Sequence, residues 1–357
     1  MKIIRRYLAR EIYASTALVL VAFLGLFAFF DLIHELGDIG KGSYQLQHAA
    51  LFVLLTVPGH VYELMPIAAL IGTVYALAQL ASHSEITVMR VSGLSTPLAL
   101  RAMATIGLAF VAITFLFGEL VAPASERTAQ SLRLLATSSS IAQEFRSGLW
   151  VRDEGRFVNV GEVRPDTKLL RVKIYEFDKE DRLRSISYAA EGEYLPPNKW
   201  RLTRVQRTVF TPVGTRLEAV PEMEWSSELN PDILGVLLVQ PDKMSIVNLY
   251  LYIRHLSENR QKVERYEIAL WKKVVYPMAV LVMMMLALPF AYMQVRAGGI
   301  SLKIFAGIML GLLFHLLNNL FAHLGAINTW PPFLSAVVPS VMFLLLAGFM
   351  MWRAERA

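Results

Sequence analysis

IFAGIMLGLLFHLLNNLFAHLGAINTWPPFLSAVVPSVMFLLLAGFMMW, from Ile304 to Trp352, is a run of 49 residues without an Asp, Glu, Lys or Arg. A helix needs about 20 apolar residues to cross a bilayer, so this run is too long for one crossing and long enough for two. Asn328-Thr329-Trp330-Pro331-Pro332 supplies the break, with turn-forming residues and a tryptophan of the kind that sits at a membrane interface. Working outward, Val274 to Val295 gives 22 uncharged positions, Ala102 to Gly118 gives 17 and Ile12 to Phe30 gives 19. Between Lys41 and Glu85 the only charge is Glu63. The pattern predicts six spans, three before residue 124 and three after about 270.

Composition agrees. Of 357 residues, 55% are hydrophobic and 18% charged, against about 25% charge in soluble domains. There is no cysteine, which excludes disulfides, thiolate catalysis and cysteine-held zinc or iron–sulfur centres. Lys2, Arg5, Arg6 and Arg10 precede the first apolar stretch. That stretch is long and no small-residue cleavage site follows it, so it reads as a retained anchor and not a signal peptide.

Basic residues orient the spans. With the N-terminus inside, the inner segments hold Lys2, Arg5, Arg6, Arg10, Arg90, Arg101, Arg296, Lys303, Arg353 and Arg356, and the short outer loops hold only Lys41. Both termini of this multi-pass protein are therefore expected in the cytoplasm, with the long stretch between spans three and four outside. From Ala124 to Lys243 that stretch carries 18 basic and 18 acidic residues. The net charge of +6 (35 − 29) thus belongs to the membrane part, and nothing favours nucleic acid as a partner.

Residues from about 148 to 227 read as short strands. Arg156–Val160, Leu170–Tyr175 and Trp200–Val205 alternate with period two, separated by turn signals at 153–155, Pro165-Asp166, Pro196-Pro197-Asn198 and Pro212-Val213-Gly214. Such punctuation predicts an all-β sandwich or jelly roll. Helical connectors flank it, Ala124–Ala142 leading out and Ser245–Glu267 leading back; they either transmit movement or serve as stalks. The expected organisation is an α-helical membrane protein of six transmembrane helices with an inserted all-β domain, a sandwich or jelly roll, on the outer side. Its divisions are 1–123 (spans one to three), 124–243 (the β domain) and 244–357 (the connector helix and spans four to six).

No residue pattern reads as an active site or a metal centre: HExxH, GxSxG and a strand-borne glycine fingerprint are all missing. Gly37-Asp38-Ile39-Gly40-Lys41-Gly42-Ser43 has the wrong spacing for a phosphate loop and reads as a turn between spans one and two. In span five His315, Asn319 and His323 share one helical face, suited to interhelical hydrogen bonds or a substrate-lining role. Glu63 lies between Pro58 and Pro66 in span two, either on a polar route or near the outer interface. Arg127, Arg133, Lys272 and Lys273 flank the outer ends of spans three and four, where they either meet lipid phosphates or snorkel. The inner loop Ser82–Gly93 predicts a short helix of about 84–92, begun by Ser82 or Ser84 and closed by Gly93. Ile86, Met89 and either Val88 or Val91 are expected to share an apolar face, either docking into a groove on a soluble partner or lying on the membrane.

Several stretches resemble the permeases of the lipopolysaccharide export transporter, the LptF/LptG family. They are Gly42-Ser43-Tyr44, Pro58, Met65–Gly72, Ser84-Glu85 through Met89, Ser92-Gly93, Gly118–Pro123, Asn230–Val236, Tyr266–Trp271 and Lys273. The resemblance implies a periplasmic jelly roll, an LptF-like sister permease, an LptB-like ATPase dimer and an LptC-like periplasmic bridge protein. Lipopolysaccharide would be extracted from the outer leaflet of the inner membrane and passed toward the outer membrane. This chain would be no enzyme, with ATP and Mg on the partner ATPase and no cofactor of its own. Glu85, Ile86, Met89 and Arg90 would form the ATPase-coupling helix, and Lys41, Arg127, Arg133, Lys272 and Lys273 would meet lipid phosphates. Where family members carry lysines along the outer end of span one, this chain has Asp31, His34, Glu35, Gly37 and Asp38. Either Lys41, Arg133 and Lys272 compensate, or a divalent cation bridges the acids to phosphate. Two other classes stay open: a mechanotransmission permease that moves no lipid, and a membrane-anchored binding or scaffold protein.

Overall fold

A computed structural model describes residues 2–356 apart from 138–148, 154–155, 164–167, 179, 181, 212, 228–239, 259–260, 293–298 and 329. The Asn230–Val236 segment and Arg296 lie outside the described residues, as does the end of the outgoing connector beyond 137. Among the described residues six helices are long and apolar enough to cross a membrane, as the charge-poor runs predict. They are α1 (Lys2–Leu36), α2 (Leu46–Ser82), α4 (Thr96–Leu116), α7 (Glu264–Tyr292), α8 (Ile300–Asn328) and α9 (Pro332–Arg356). The 49-residue run divides where expected: α8 ends at Asn328 and α9 begins on Pro332, the first-turn position at which proline's missing N–H is harmless. Short helices α3 (Glu85–Val91) and α6 (Ile246–Glu258) stand outside the spans, and α4 continues through a π-helical turn, Phe117–Val121, into α5 (Ala122–Thr137).

Helices α2 and α7 form the centre of the bundle. Their most apolar windows are 83% and 67% buried, against 6% for α1. Small residues make this possible, because close backbone approach is what packs helices in lipid. A Cβ on Gly72 of α2 would lie 2.5 Å from the Cα of Thr16, so α1 seats directly on that glycine. Leu70, Val74, Met283, Leu286 and Phe314 are among the residues that fill the core between α2, α7 and α8.

The connection from α2 to α4 is built by α3. Its C-terminus closes through Gly93 at φ +100°, with the Leu94 N–H on the Met89 carbonyl at 2.9 Å and the Gly93 N–H on that of Arg90 at 3.0 Å. This is a Schellman closure, and Leu94 packs with Met89 in the main apolar cluster as that motif favours. The start is different from the expectation. Ser84 occupies the N-cap with φ +65° and makes no side-chain cap.

The inserted β domain has strands β1 (Leu149–Asp153), β2 (Arg156–Val163), β3 (Leu169–Phe177), β4 (Leu183–Leu195), β5 (Lys199–Thr211) and β6 (Gly214–Ser226). The all-β expectation is met, and the connectivity among the described residues is sequential: one six-stranded antiparallel sheet, β1 to β6 in order. A crease crosses it. Gly161, Arg171, Ala190, Arg204 and Pro221 are each skipped in the pairing, while the register is unchanged on either side, as in Val160↔Val172 and Glu162↔Leu170. Arg171 and Arg204 take φ of +54° and +55°, and Pro221 has no N–H to lose. Across the crease the buried positions change phase: Val172 and Ile174 point inward on one side and Leu169 on the other, as do Val205 and Leu202. The bend brings both arms onto one core that includes Val158, Val160, Leu202, Trp200 and Trp225. A single meander thereby encloses a core that a flat sheet would leave wet.

Candidate functional site

Three polar assemblies surround the membrane helices. The first lies where α1 turns into α2. Lys41 donates to Asp38 at 2.5 Å, and Arg133 of α5 donates to the other oxygen of the same carboxylate. The Arg133 Nε also lies 3.6 Å from Glu35, whose carboxylate accepts a 2.7 Å bond from the Tyr44 hydroxyl. Glu35 and Tyr44 are buried. The hydrogen bond from Lys41, then that from Arg133, holds the Asp38 carboxyl below the usual aspartate range. Burial, then the bond to Glu35, pushes the Tyr44 hydroxyl up. Ser43 adds its N–H and its hydroxyl to the Ala136 carbonyl at 2.7 and 3.1 Å, so the turn is stapled to α5.

The acids that replace the expected span-one lysines are thus matched within the chain. Asp31 pairs with His60 at 2.6 Å, and Glu35 and Asp38 share Arg133. Among the described residues no group of three or more His, Asp or Glu is arranged to hold a metal ion, and Lys41 and Arg133 are themselves engaged by Asp38 and Glu35. Arg127 is half-buried on α5 and has no hydrogen bond or ion pair among the described residues.

The second assembly is a cavity of ≈ 220 Å³ between α2, α7, α8 and the segment preceding α6. It gathers Glu63, Lys272, His315 and Asn319, which the sequence left scattered. Lys272 donates to the Asn319 oxygen at 3.1 Å, and the Asn319 amide faces His315 Nε2 at 3.1 Å. An amide that accepts from lysine must donate to the imidazole, so His315 accepts at Nε2 and carries its proton at Nδ1. The expected interhelical hydrogen bonding is present, linking α7 to α8; His323 is exposed and outside it. Glu63 lines the cavity with no side-chain hydrogen bond or ion pair among the described residues, while its backbone carbonyl accepts from Tyr276 at 2.5 Å. Lys273 parts from its neighbour: it is buried, donates to the Met244 carbonyl and sits over the Tyr62 ring at 5.6 Å.

That lysine belongs to a clamp not visible in the sequence. Both carboxylate oxygens of Glu119, in the π-helical turn, accept the Ile246 N–H at 3.0 and 2.9 Å and so cap α6. Buried Glu126 takes Lys243 at 3.1 Å. Three groups therefore hold residues 243–246. The signals were a glutamate in a turn-rich motif and acids one helical stripe apart, at 119 and 126.

The third assembly is α3, at the end of the bundle away from the β domain. The expected single apolar face is divided. Ile86 and Met89 are buried in the chain's own core, while Val88 and Val91 are 63% and 86% exposed. Glu85 accepts a 2.9 Å bond from the Tyr7 hydroxyl of α1, and Arg90 lies 4.8 Å above the Tyr292 ring. The outward face is thus Thr87, Val88 and Val91, with Glu85 tethered at its side.

Comparison with known proteins accords with this architecture. The Lipopolysaccharide export system permease LptF/LptG family matches residues 6–353. The lipopolysaccharide export system permease protein LptG of Escherichia coli is 32% identical over 354 residues, and that of Haemophilus influenzae is 31% identical over 350 residues, each comparison covering 98% of both chains. With six membrane-type helices, an inserted β domain and a match over nearly its whole length, this chain belongs to the LptF/LptG family of lipopolysaccharide export permeases.

Proposed function

We propose that this chain is one permease subunit of an ATP-driven machine that draws lipopolysaccharide from the outer leaflet of the inner membrane and hands it to a periplasmic bridge. Both termini and α3 face the cytoplasm, and the β domain of 124–243 faces the periplasm between membrane parts 1–123 and 244–357. An LptF-like sister permease completes the lipid path, an LptB-like ATPase dimer binds ATP and Mg and does the hydrolysis, and an LptC-like protein receives the lipid.

The observation that carries this reading is α3. A seven-residue helix closed at Gly93, anchored inward by Ile86 and Met89, presents Thr87, Val88 and Val91 outward. A short rigid helix with an apolar outer stripe suits a groove on a soluble partner. Because Ile86 and Met89 belong to the core against which α2 and α4 pack, force on the outer stripe reaches the spans directly. At the other end, Arg133 and Lys41 supply cations for lipid phosphates, and a phosphate would exchange for Asp38 at Arg133 through charge-assisted bonds of the same kind. Arg127, half-buried on α5 with no hydrogen bond or ion pair among the described residues, is a further cation for the same role.

The test is reconstitution of the chain with the ATPase and sister permease in liposomes. ATPase activity and lipopolysaccharide release are followed for the parent, Val88→Glu and Glu85→Ala. Loss of coupled release in both variants, with the chain still folded and inserted, is the expected outcome. Normal lipid release from both would overturn the coupling role of α3, and failure of any ATPase to associate would overturn the transporter reading.

A further inference from the structure

The cavity between α2, α7 and α8 carries charges of both signs, and most of them are already engaged. Lys243 is held by Glu126 and Lys273 by the Met244 carbonyl. Two remain addressable. Lys272 is anchored by Asn319 and lies 3.6 Å from Asp242, whose side chain is 59% exposed and free to swing away. Glu63 lines the same cavity, near Tyr62, Tyr276 and His315, and its carboxylate makes no hydrogen bond or ion pair among the described residues. A carboxylate left unmatched in a half-buried polar cavity calls for a cation.

Position indicates what kind of molecule brings it. Trp271, next to Lys272, is exposed and packs edge-on against Phe333 at 5.1 Å, and Trp330 is exposed on the same side. Exposed tryptophans at the ends of membrane helices mark the head-group level. At ≈ 220 Å³ the cavity is below the roughly 300–1,000 Å³ of drug-sized sites, so it has room for a head group alone.

We infer that this cavity binds the head group of an aminophospholipid, with the phosphate on Lys272 in place of Asp242 and the primary ammonium on Glu63. Phosphatidylethanolamine has that chemistry, and phosphatidylglycerol shares the phosphate but would leave Glu63 unmatched. Such a lipid would pin α2 to α7 and α8. This goes beyond the export reading and does not depend on it.

The test uses the full chain in detergent, titrated by calorimetry with dihexanoyl-phosphatidylethanolamine, dihexanoyl-phosphatidylglycerol and soluble phosphoethanolamine. Phosphatidylethanolamine is expected to bind at least tenfold more tightly than phosphatidylglycerol. Glu63→Gln should bring the two within twofold by weakening only the amine-bearing lipid, and Glu63→Asp should restore part of the preference. Lys272→Gln should weaken both lipids about tenfold. Equal affinity for the two lipids in the parent chain, or an undiminished preference in folded Glu63→Gln, would overturn the assignment. Soluble phosphoethanolamine binding as tightly as the lipid would overturn the membrane source. Neither ATPase nor lipopolysaccharide is in the assay, so its failure leaves the export reading standing, and failure of export leaves this one standing.

Discussion

Replacing Arg133 by Met removes the one guanidinium that serves both Glu35 and Asp38. Glu35 is the sensitive partner: its side chain is 3% exposed and would keep only the Tyr44 hydroxyl. Removing one member of a buried pair costs about 3–5 kcal/mol. The Arg133 side chain is 33% exposed, so water reaches part of the vacated space, and the expected loss is discounted to roughly 2 kcal/mol. For a chain of this size that is a fall of about 4 °C in the unfolding midpoint, followed by intrinsic fluorescence of the full chain in detergent. Glu35→Gln in the same chain removes the stranded charge while keeping an oxygen for Tyr44, so the double variant should recover most of the loss, a coupling of about 1.5 kcal/mol. Transport separates the two roles of Arg133. If it also holds lipid phosphate, the double variant recovers its midpoint and still exports poorly. An Arg133→Met midpoint within 1 °C of the parent, or no rescue by Glu35→Gln, would refute the internal ion-pair reasoning.

Three further outcomes follow from the packing. Gly72→Ala places a methyl group against the backbone of Thr16; overpacking of this kind costs about 1–3 kcal/mol, and cross-linking of cysteine pairs placed along α1 and α2 of this cysteine-free chain should fall. Trp200→Ala empties the centre of the β-domain core and should cost about 3–5 kcal/mol, read as protease cleavage within 149–226 while the membrane helices survive. Acid should loosen the Asp38 cluster and a second one in the β domain, where Glu176 accepts from Ser185 at 2.7 Å and Arg207 at 2.8 Å and faces Arg156 at 3.5 Å. Asp38 is held low by Lys41 and Arg133, and Glu176 is held low because Ser185, Arg207 and Arg156 outweigh the upward push of its burial. Each contributes stability that is complete above the ordinary carboxylate range near pH 4 and is lost as pH falls through its depressed folded value, so the midpoint should decline below about pH 4 and the decline should shrink in Asp38→Asn.

The membrane half was legible because hydrocarbon imposes one requirement, a long run nearly free of charge, and the runs, the last divided before Pro332, locate all six helices, although α1, α4 and α7 begin well before their runs. The β domain was legible in class and blurred in register. Leu170–Tyr175 alternates cleanly in sequence, yet the structure buries Leu169 in place of Leu170 because Arg171 sits on the crease in a left-handed conformation. No side-chain pattern announces an arginine with positive φ. The same limit governs the polar sites. Lys272 and Lys273 are adjacent, chemically identical and both line the cavity, and only helix rotation decides that one is tied to Asn319 and the other to the Met244 carbonyl. Ile86 and Val88 could both have faced a partner until the packing of α3 placed one inside.

The clamp at 243–246 bears on how movement would cross the molecule. The β domain leaves the membrane on α5 and returns through α6, and two independent stalks would let it swing freely. Glu119 and Glu126 on the outgoing helix hold the return segment at Ile246 and Lys243, and Lys273 of α7 holds Met244 between them. A shift of α7 against α4 must therefore either carry the base of the β domain with it or break bonds whose partners are largely buried. Breaking them strands Glu126 and Lys273 away from water, at a cost of several kcal/mol, whereas moving as a unit costs none of that. The π-helical turn that presents Glu119 also lies against Tyr62, where a Cβ on Gly118 would strike the ring, so α2 is gripped at the same level. Spans α2, α4 and α7 and the roots of the β domain are one mechanical body. α1 is fastened to the same body, seated on Gly72 through Thr16, paired from Asp31 to His60 of α2 and bonded from the Tyr13 hydroxyl to the Ile106 carbonyl of α4.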